Sequence, residues 1–217
     1  MPYPMVHLHI AKNILEYSIL PIENTPQFYL GSLAPDSVQF RKEYNKKYSH
    51  LCISEEPWGF VTNNYEWECH VINFIKKNYC KIDINFLLGY GIHILADIQN
   101  NIEIWTPYRI SNIGKNFKEL HKNVFEENMI IDQKIFQEYV SKTEIFKLLR
   151  NSEDFDFFDI VNKEDMENIK NRILNLQYKN ESVVNIENDM IKKLNVIIDF
   201  INTTSEYIIE LLKRKIL

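Results

Sequence analysis

The chain has 217 residues, enough for one good core or for one domain with an appendage, and its 45% apolar and 25% charged residues are the balance of an ordinary globular protein. A net charge of −5 with no basic block gives no footing for a nucleic-acid surface, and no apolar run reaches membrane-spanning length. Three cysteines (Cys52, Cys69, Cys80) without CxxC spacing argue against a disulfide framework and a cysteine zinc site; MPYPMVHLHIAKN has no charged-then-apolar leader, so the expected location is the cytoplasm.

Glycine and proline are scarce, at 5 and 7, which points to helices. Met5 to Tyr17 is the first: Val6, Ile10, Ile14 and Tyr17 recur at helical spacing after Pro4. His7 lies on the flank of that stripe. Pro21 and Pro26 bracket a loop, followed by FYLGSLAPDSVQF, where Gly31-Ser32 lets the chain bend and Pro35 marks a turn or helix entrance. Asp36 reads either as a helix-capping aspartate or as a metal-bridging carboxylate on a constrained turn. In RKEYNKKYSHL, Lys42, Lys46 and Lys47 read as a solvated face, and His50 follows them. Tyr65 to Tyr79 is a further helix with Trp67, Val71, Phe74 and Ile75 on one stripe; His70 beside it reads as structural.

Asp83 to Asp97, DINFLLGYGIHILAD, is apolar almost all round, the pattern of a central buried helix. Within it His93 and Asp97 stand four residues apart and so share a face. An ionised carboxylate in an apolar interior calls for a partner or a metal. The plainer alternative has His93 bonded to a carbonyl and Asp97 in water at the helix end. Gly89, one turn before His93, would allow another backbone or a substrate to come close. Trp105, Pro107 and Tyr108 follow closely and are candidates to wall a pocket.

The second half predicts helical segments over Gln133 to Leu149, Glu164 to Tyr178 and Val183 to Leu212, with an acidic-aromatic connector at Glu153 to Asn162. All six histidines fall at or before His121, which suggests that site chemistry belongs to the first half and scaffolding to the second. With no low-complexity linker between the halves, the expectation is one all-α domain over residues 1–217, a multi-helix bundle around the helix carrying HxxxD. His7, Asp36, His50, His93 and Asp97 together are nitrogen and oxygen ligands of a kind that suits zinc and also iron or manganese.

The order and wording of these pieces resemble the bacterial zinc-dependent phospholipase C family. The matching words are HLHIA from His7, LGSLAPD ending at Asp36, YSH ending at His50, and GYGIHILAD with His93 and Asp97, covering about residues 5 to 110. The resemblance implies an all-helical fold and one to three zinc ions that hydrolyse a phosphoester or phosphodiester with metal-activated water, lipid being one candidate substrate. It implies that His7 binds the metal nearest the chain start, that His50, His93 and Asp97 hold the central one, and that Asp36 binds it too and orients or deprotonates the attacking water. The family's secreted members begin with a metal-binding tryptophan and carry a later HxxxE pair. Here the chain begins with Met1, and His121 is followed at i+4 by Phe125, which makes His121 a weak ligand candidate. Two other readings predict different behaviour: a helical protein with a purely structural metal, and a metal-free interaction protein using its long C-terminal helix.

Overall fold

In the computed structural model, residues 3–17, 20–138, 142–179 and 186–216 are described; among them the regular elements are helical, apart from one bridge between Phe157 and Val161. The all-α expectation holds. The helices are α1 (Pro4–Tyr17), α2 (Thr25–Gly31), α3 (Ala34–Ser37), α4 (Lys46–Ser49), α5 (Asn64–Asn78) and α6 (Ile84–Asn100) in the first half. They continue with α7 (Thr106–Ser111), α8 (Phe117–Glu138), α9 (Lys142–Arg150), α10 (Lys163–Asn171) and α11 (Asn188–Lys215). Asparagine does much of the capping. The side chains of Asn24, Asn45 and Asn63 accept from the N–H groups of Gln27, Tyr48 and Glu66, and Asn162 forms a reciprocal capping box with Asp165.

The predicted segment 133–149 falls across α8 and α9, with residues 139–141 outside those described, and α8 begins sixteen residues earlier than the sequence suggested. Likewise residues 183–185 of the predicted last helix lie outside the described residues, and α11 runs from Asn188. Two helices pass into wider, π-helical turns: α6 into Asn101–Trp105, and α10 into Arg172–Gln177. No helix among the described residues is long and apolar enough to cross a membrane.

Helix α6 is the axis. It is buried from Asn85 to Asn100 and is packed by α1, α2, α5 and α11. Asp83 caps its start, accepting from the N–H of Asn85 at 2.8 Å. Its approach to α2 is closer than any side chain would permit. A Cβ on Gly89 would fall against Phe28 O and stand 2.9 Å from Ser32 N, and one on Gly31 would fall against Phe86 O and stand 3.0 Å from Tyr90 N. The close approach expected at Gly89 is therefore made by the backbone of α2. Buried side chains of both halves join one core, in which α11 covers α1, α6 and α8.

Candidate metal centre

The contact of α2 with α6 places the carbonyl of Ser32 against the ring of His93. His93 Nδ1 lies 2.8 Å from Ser32 O, and a carbonyl can only accept, so Nδ1 carries the proton and Nε2 presents a lone pair. His50 is prepared in the same way. It ends α4, its Nδ1 lies 2.9 Å from Lys46 O, and its own carbonyl accepts from Trp67 Nε1 at 2.8 Å. Tyr90 on α6 donates to the carbonyl of Ser49 beside it. The next residue, Leu51, takes a left-handed conformation (φ 51°), and its N–H and that of Cys52 close the end of α4 onto the carbonyls of Tyr48 and Lys47. A leucine in that conformation costs about 1–2 kcal/mol, strain stored next to His50.

The two prepared imidazoles face each other, with Nε2 atoms 3.3 Å apart. His50 Nε2 is also 3.2 Å from Asp97 Oδ2 and 3.4 Å from Asp36 Oδ1. Two ligand atoms about 2.0–2.1 Å from a tetrahedral zinc ion stand about 3.3 Å from each other. Three separations radiating from one atom therefore have the length of coordination edges. His7, on α1, stacks on the His93 ring with centroids 3.6 Å apart and places Nε2 3.6 Å from Asp97 Oδ1. Neither nitrogen of His7 and neither carboxylate oxygen of Asp97 has a hydrogen-bond partner, although both residues are about 2% exposed. Orphaned buried donors and acceptors of this kind are rare in proteins, and a metal ion would satisfy them.

All five predicted ligands thus meet at one place, in two groups that could hold an ion: His50, His93 and Asp97, and His7, Asp36 and His93. Both groups use His93. Its Nε2 has one lone pair, so it can serve one ion only, and a second ion would rest on His7 with the carboxylates. Asp97 is buried, not in water at a helix end.

The charges are consistent with that chemistry. Burial holds His7 well below the usual imidazole range and also lowers His93, so both are neutral and fit to ligate. Burial would raise Asp97, but His50 and the other two imidazoles hold it down, at about 2. Burial would raise Asp36 too, yet Lys46 and His50 keep it well below the carboxylate range. His50 itself is raised despite burial, because the carboxylates of Asp36 and Asp97, 3.4 and 3.2 Å from its Nε2, favour its charged form. Without a metal, a proton on His50 Nε2 is what answers Asp97.

The cluster forms the floor of a cavity of about 470 Å³. Asp36, His7, His93 and Asp97 reach it, while His50 lies beneath. Trp105 is on the wall, held by a hydrogen bond from Nε1 to Gly59 O at 2.7 Å. Tyr108 stacks behind Trp105, 6.1 Å between centroids, and does not line the cavity. His121 lines it against Trp105, at 6.0 Å.

Several residues that shape the site were not anticipated. Lys46, taken as part of a solvated face, lies 2.6 Å from Asp36 Oδ1 and over the ring of Trp58. Trp58 meets the His50 ring edge-on at 5.0 Å. A Pro-Trp-Gly sequence at a loop was the available signal for Trp58. Arg172 and Gln177 bring the C-terminal half to the cavity, so that half is more than scaffold. Comparison with protein-family models, curated proteins and solved structures finds no match to this chain.

Proposed function

We propose that this chain is a metal-dependent hydrolase acting on a phosphoester or phosphodiester, as its resemblance to the zinc-dependent phospholipases C implies. The observation that carries the reading is the convergence of two imidazole Nε2 atoms, each turned to the cluster by a carbonyl contact at its Nδ1, with a buried carboxylate oxygen, at 3.2–3.3 Å. At that spacing either a proton on His50 Nε2 or a bound cation must lie between them, and a cation answers both nitrogens and the carboxylate together. His50, His93 and Asp97 would hold the central ion, and His7 and Asp36 a second. Zinc fits the donor set best, with iron and manganese as alternatives. A bound ion of this kind supplies Lewis acidity, which polarises a phosphoryl oxygen and makes water a better nucleophile near neutral pH.

The chain's own residues supply the rest. Asp36 borders the cavity and, ionised, can accept the proton of an attacking water at its carboxylate. Lys46 keeps Asp36 ionised and in place. Trp58 and Trp105 wall the substrate and exclude water. A cavity of about 470 Å³ admits a small phosphoester, a nucleotide or a lipid headgroup. Three unbridged cysteines suit a reducing compartment, in keeping with a cytoplasmic location.

The near-complete burial of His50, His93 and Asp97 also favours a second reading, a metal kept for stability alone. One experiment separates the two. Elemental mass spectrometry on protein purified without a metal-binding tag, beside His93→Ala, reads the metal. A phosphoester screen with native protein, chelator-treated protein and Asp36→Asn reads turnover. Hydrolysis lost with chelator and in Asp36→Asn, with the fold intact, is expected. Bound metal with no turnover on any phosphoester leaves the structural reading, and protein that stays metal-free after incubation with zinc, iron and manganese overturns both.

A further inference from the structure

Part of the cavity's lining comes from the C-terminal half, and one residue there has no assigned task. Arg172 lines the metal-facing cavity and also a second cavity of about 480 Å³, shared with Phe40, Leu176 and Gln177. Its side chain is braced on two sides. The guanidinium lies over the Phe40 ring, 5.6 Å from the centroid, and Nε donates to Gln177 Oε1 at 3.1 Å. Among the described residues no carboxylate comes within ion-pair distance of Arg172, in contrast to Arg41, whose fork is filled by Asp165. Arg172 is half-buried, and among the described residues its two terminal amino groups have no hydrogen-bond partner, in a side chain already braced.

The backbone adds an independent sign. Arg172 opens the π-helical turn and Gln177 closes it. The other π-helical turn, Asn101–Trp105, sends Asn101 and Trp105 to the same cavity. Such turns are rare and cluster at functional sites. Here residues of both turns line one cavity. A planar, always-charged fork held in place, with its terminal donors unpaired among the described residues, is the arrangement that recognises an oxyanion.

We propose that Arg172 is an anion-binding residue of the cavity, receiving an oxyanion of the substrate other than the phosphoester at the metal cluster. The inference rests on the phosphoester reading for the word substrate, and on the cavity alone for the anion site. It narrows the substrate class: an ester bearing a second phosphate or a carboxylate is preferred over a singly charged diester.

The test is anion binding by the full chain as purified, with its metal content measured on the same sample. Inorganic phosphate and succinate are titrated at constant ionic strength, and the fluorescence of the cavity tryptophans is read. Native protein is expected to show saturable binding, and Arg172→Gln to weaken it by about tenfold or more with metal content and circular dichroism unchanged. Arg172→Met, which keeps an apolar stem of similar length beside Phe40 and removes the charge, decides if the glutamine variant does not fold. Preference for phosphate names a second phosphate on the substrate; preference for succinate names a carboxylate. No saturable binding of either anion, or binding that Arg172→Gln leaves unchanged, overturns the proposal. His93→Ala separates the two readings: anion binding retained in that variant, in a protein that never holds metal, sinks the hydrolase reading and leaves this one standing.

Discussion

Replacing Gly89 by alanine tests whether helix packing builds the candidate metal centre. Alanine is the better helix former by about 1 kcal/mol, so propensity alone would stabilise α6. Packing opposes it. The added Cβ would stand 2.9 Å from Ser32 N and deep inside contact distance of Phe28 O, both main-chain atoms that cannot rotate away. Helix α2 must then lift by roughly 1 Å, and overpacking of that kind costs about 1–3 kcal/mol, occasionally more. Against rigid backbone the upper end applies, which leaves a net loss of about 2 kcal/mol and a fall in Tm of roughly 4–8 °C for a chain of this size. The same movement carries away Ser32 O, which orients His93 through Nδ1 at 2.8 Å. Losing such an orienting partner weakens metal binding by roughly 10–100-fold. Gly91→Ala is the control on the same helix. Its Cβ would meet Ile75 Cδ1 at 2.5 Å, the tip of a side chain that can turn. The expected loss there is below about 1.5 kcal/mol, with metal affinity unchanged. Circular-dichroism melts and zinc titration against a chromophoric chelator read both quantities. A Gly89→Ala protein that melts and binds zinc as the native does would refute the reasoning.

Three further outcomes are expected. On the proposed division, His7→Ala should keep at least one equivalent of metal per chain where His93→Ala keeps less, because His93 would serve the ion held with His50 and Asp97; elemental mass spectrometry that finds His7→Ala empty would sink this division. Asp132, buried beneath the start of α1, accepts from Met5 N–H at 2.9 Å and from Tyr178, and burial raises its pKa from 3.8 to about 7. Between those values the folded protein binds the extra proton, so stability falls as pH rises from about 4 to 7, by about 4 kcal/mol in all. Urea melts at pH 5 and pH 8 should show that difference shrinking in Asp132→Asn, and parallel behaviour of the two proteins would contradict the assignment. Asp165→Ala removes a helix cap and strands Arg41, for a loss of about 2 kcal/mol or more with metal content unchanged; denaturant midpoints check it.

What could be read in the sequence was local. The HxxxD spacing on an apolar helix placed His93 and Asp97 on one face, because helical geometry fixes that without reference to the rest of the chain. The same holds for α1, α5 and α6, whose ends fall within a few residues of those expected. Gly89 was legible as a close-approach position, but nothing local says that the approaching group is Phe28 and Ser32. The missed residues depend on contacts far apart in the chain. Lys46 looks solvated until Asp36 is folded against it, and Arg172 looks like a surface residue of a late helix until α10 packs on α3. Periodicity is blind to such placement. It is also blind to the π-helical turns, since a helix that widens keeps its apolar pattern while shifting which side chains face inward.

The cost of the cluster argues for its purpose. Asp97 has a side chain 1% exposed and neither oxygen hydrogen-bonded, and an ionised carboxylate in that state costs several kcal/mol unless a charge answers it. A core kept only for stability would do better with an apolar residue there. The proton on His50 answers Asp97 in part, but it leaves His7 without a partner and His93 Nε2 facing another nitrogen. One divalent cation satisfies His50, His93 and Asp97 together, and a ligand present at 100 times its Kd stabilises the fold by about 2.7 kcal/mol. Closed structural zinc sites take four protein ligands. Here three are free to serve, while the fourth candidate, Asp36, is already engaged by Lys46 and turned to the cavity. With His93 and Asp97 reaching the open cavity and His50 beneath them, three ligands leave room for a substrate oxygen, and the same arrangement that calls for a cation therefore favours a working site over a rivet.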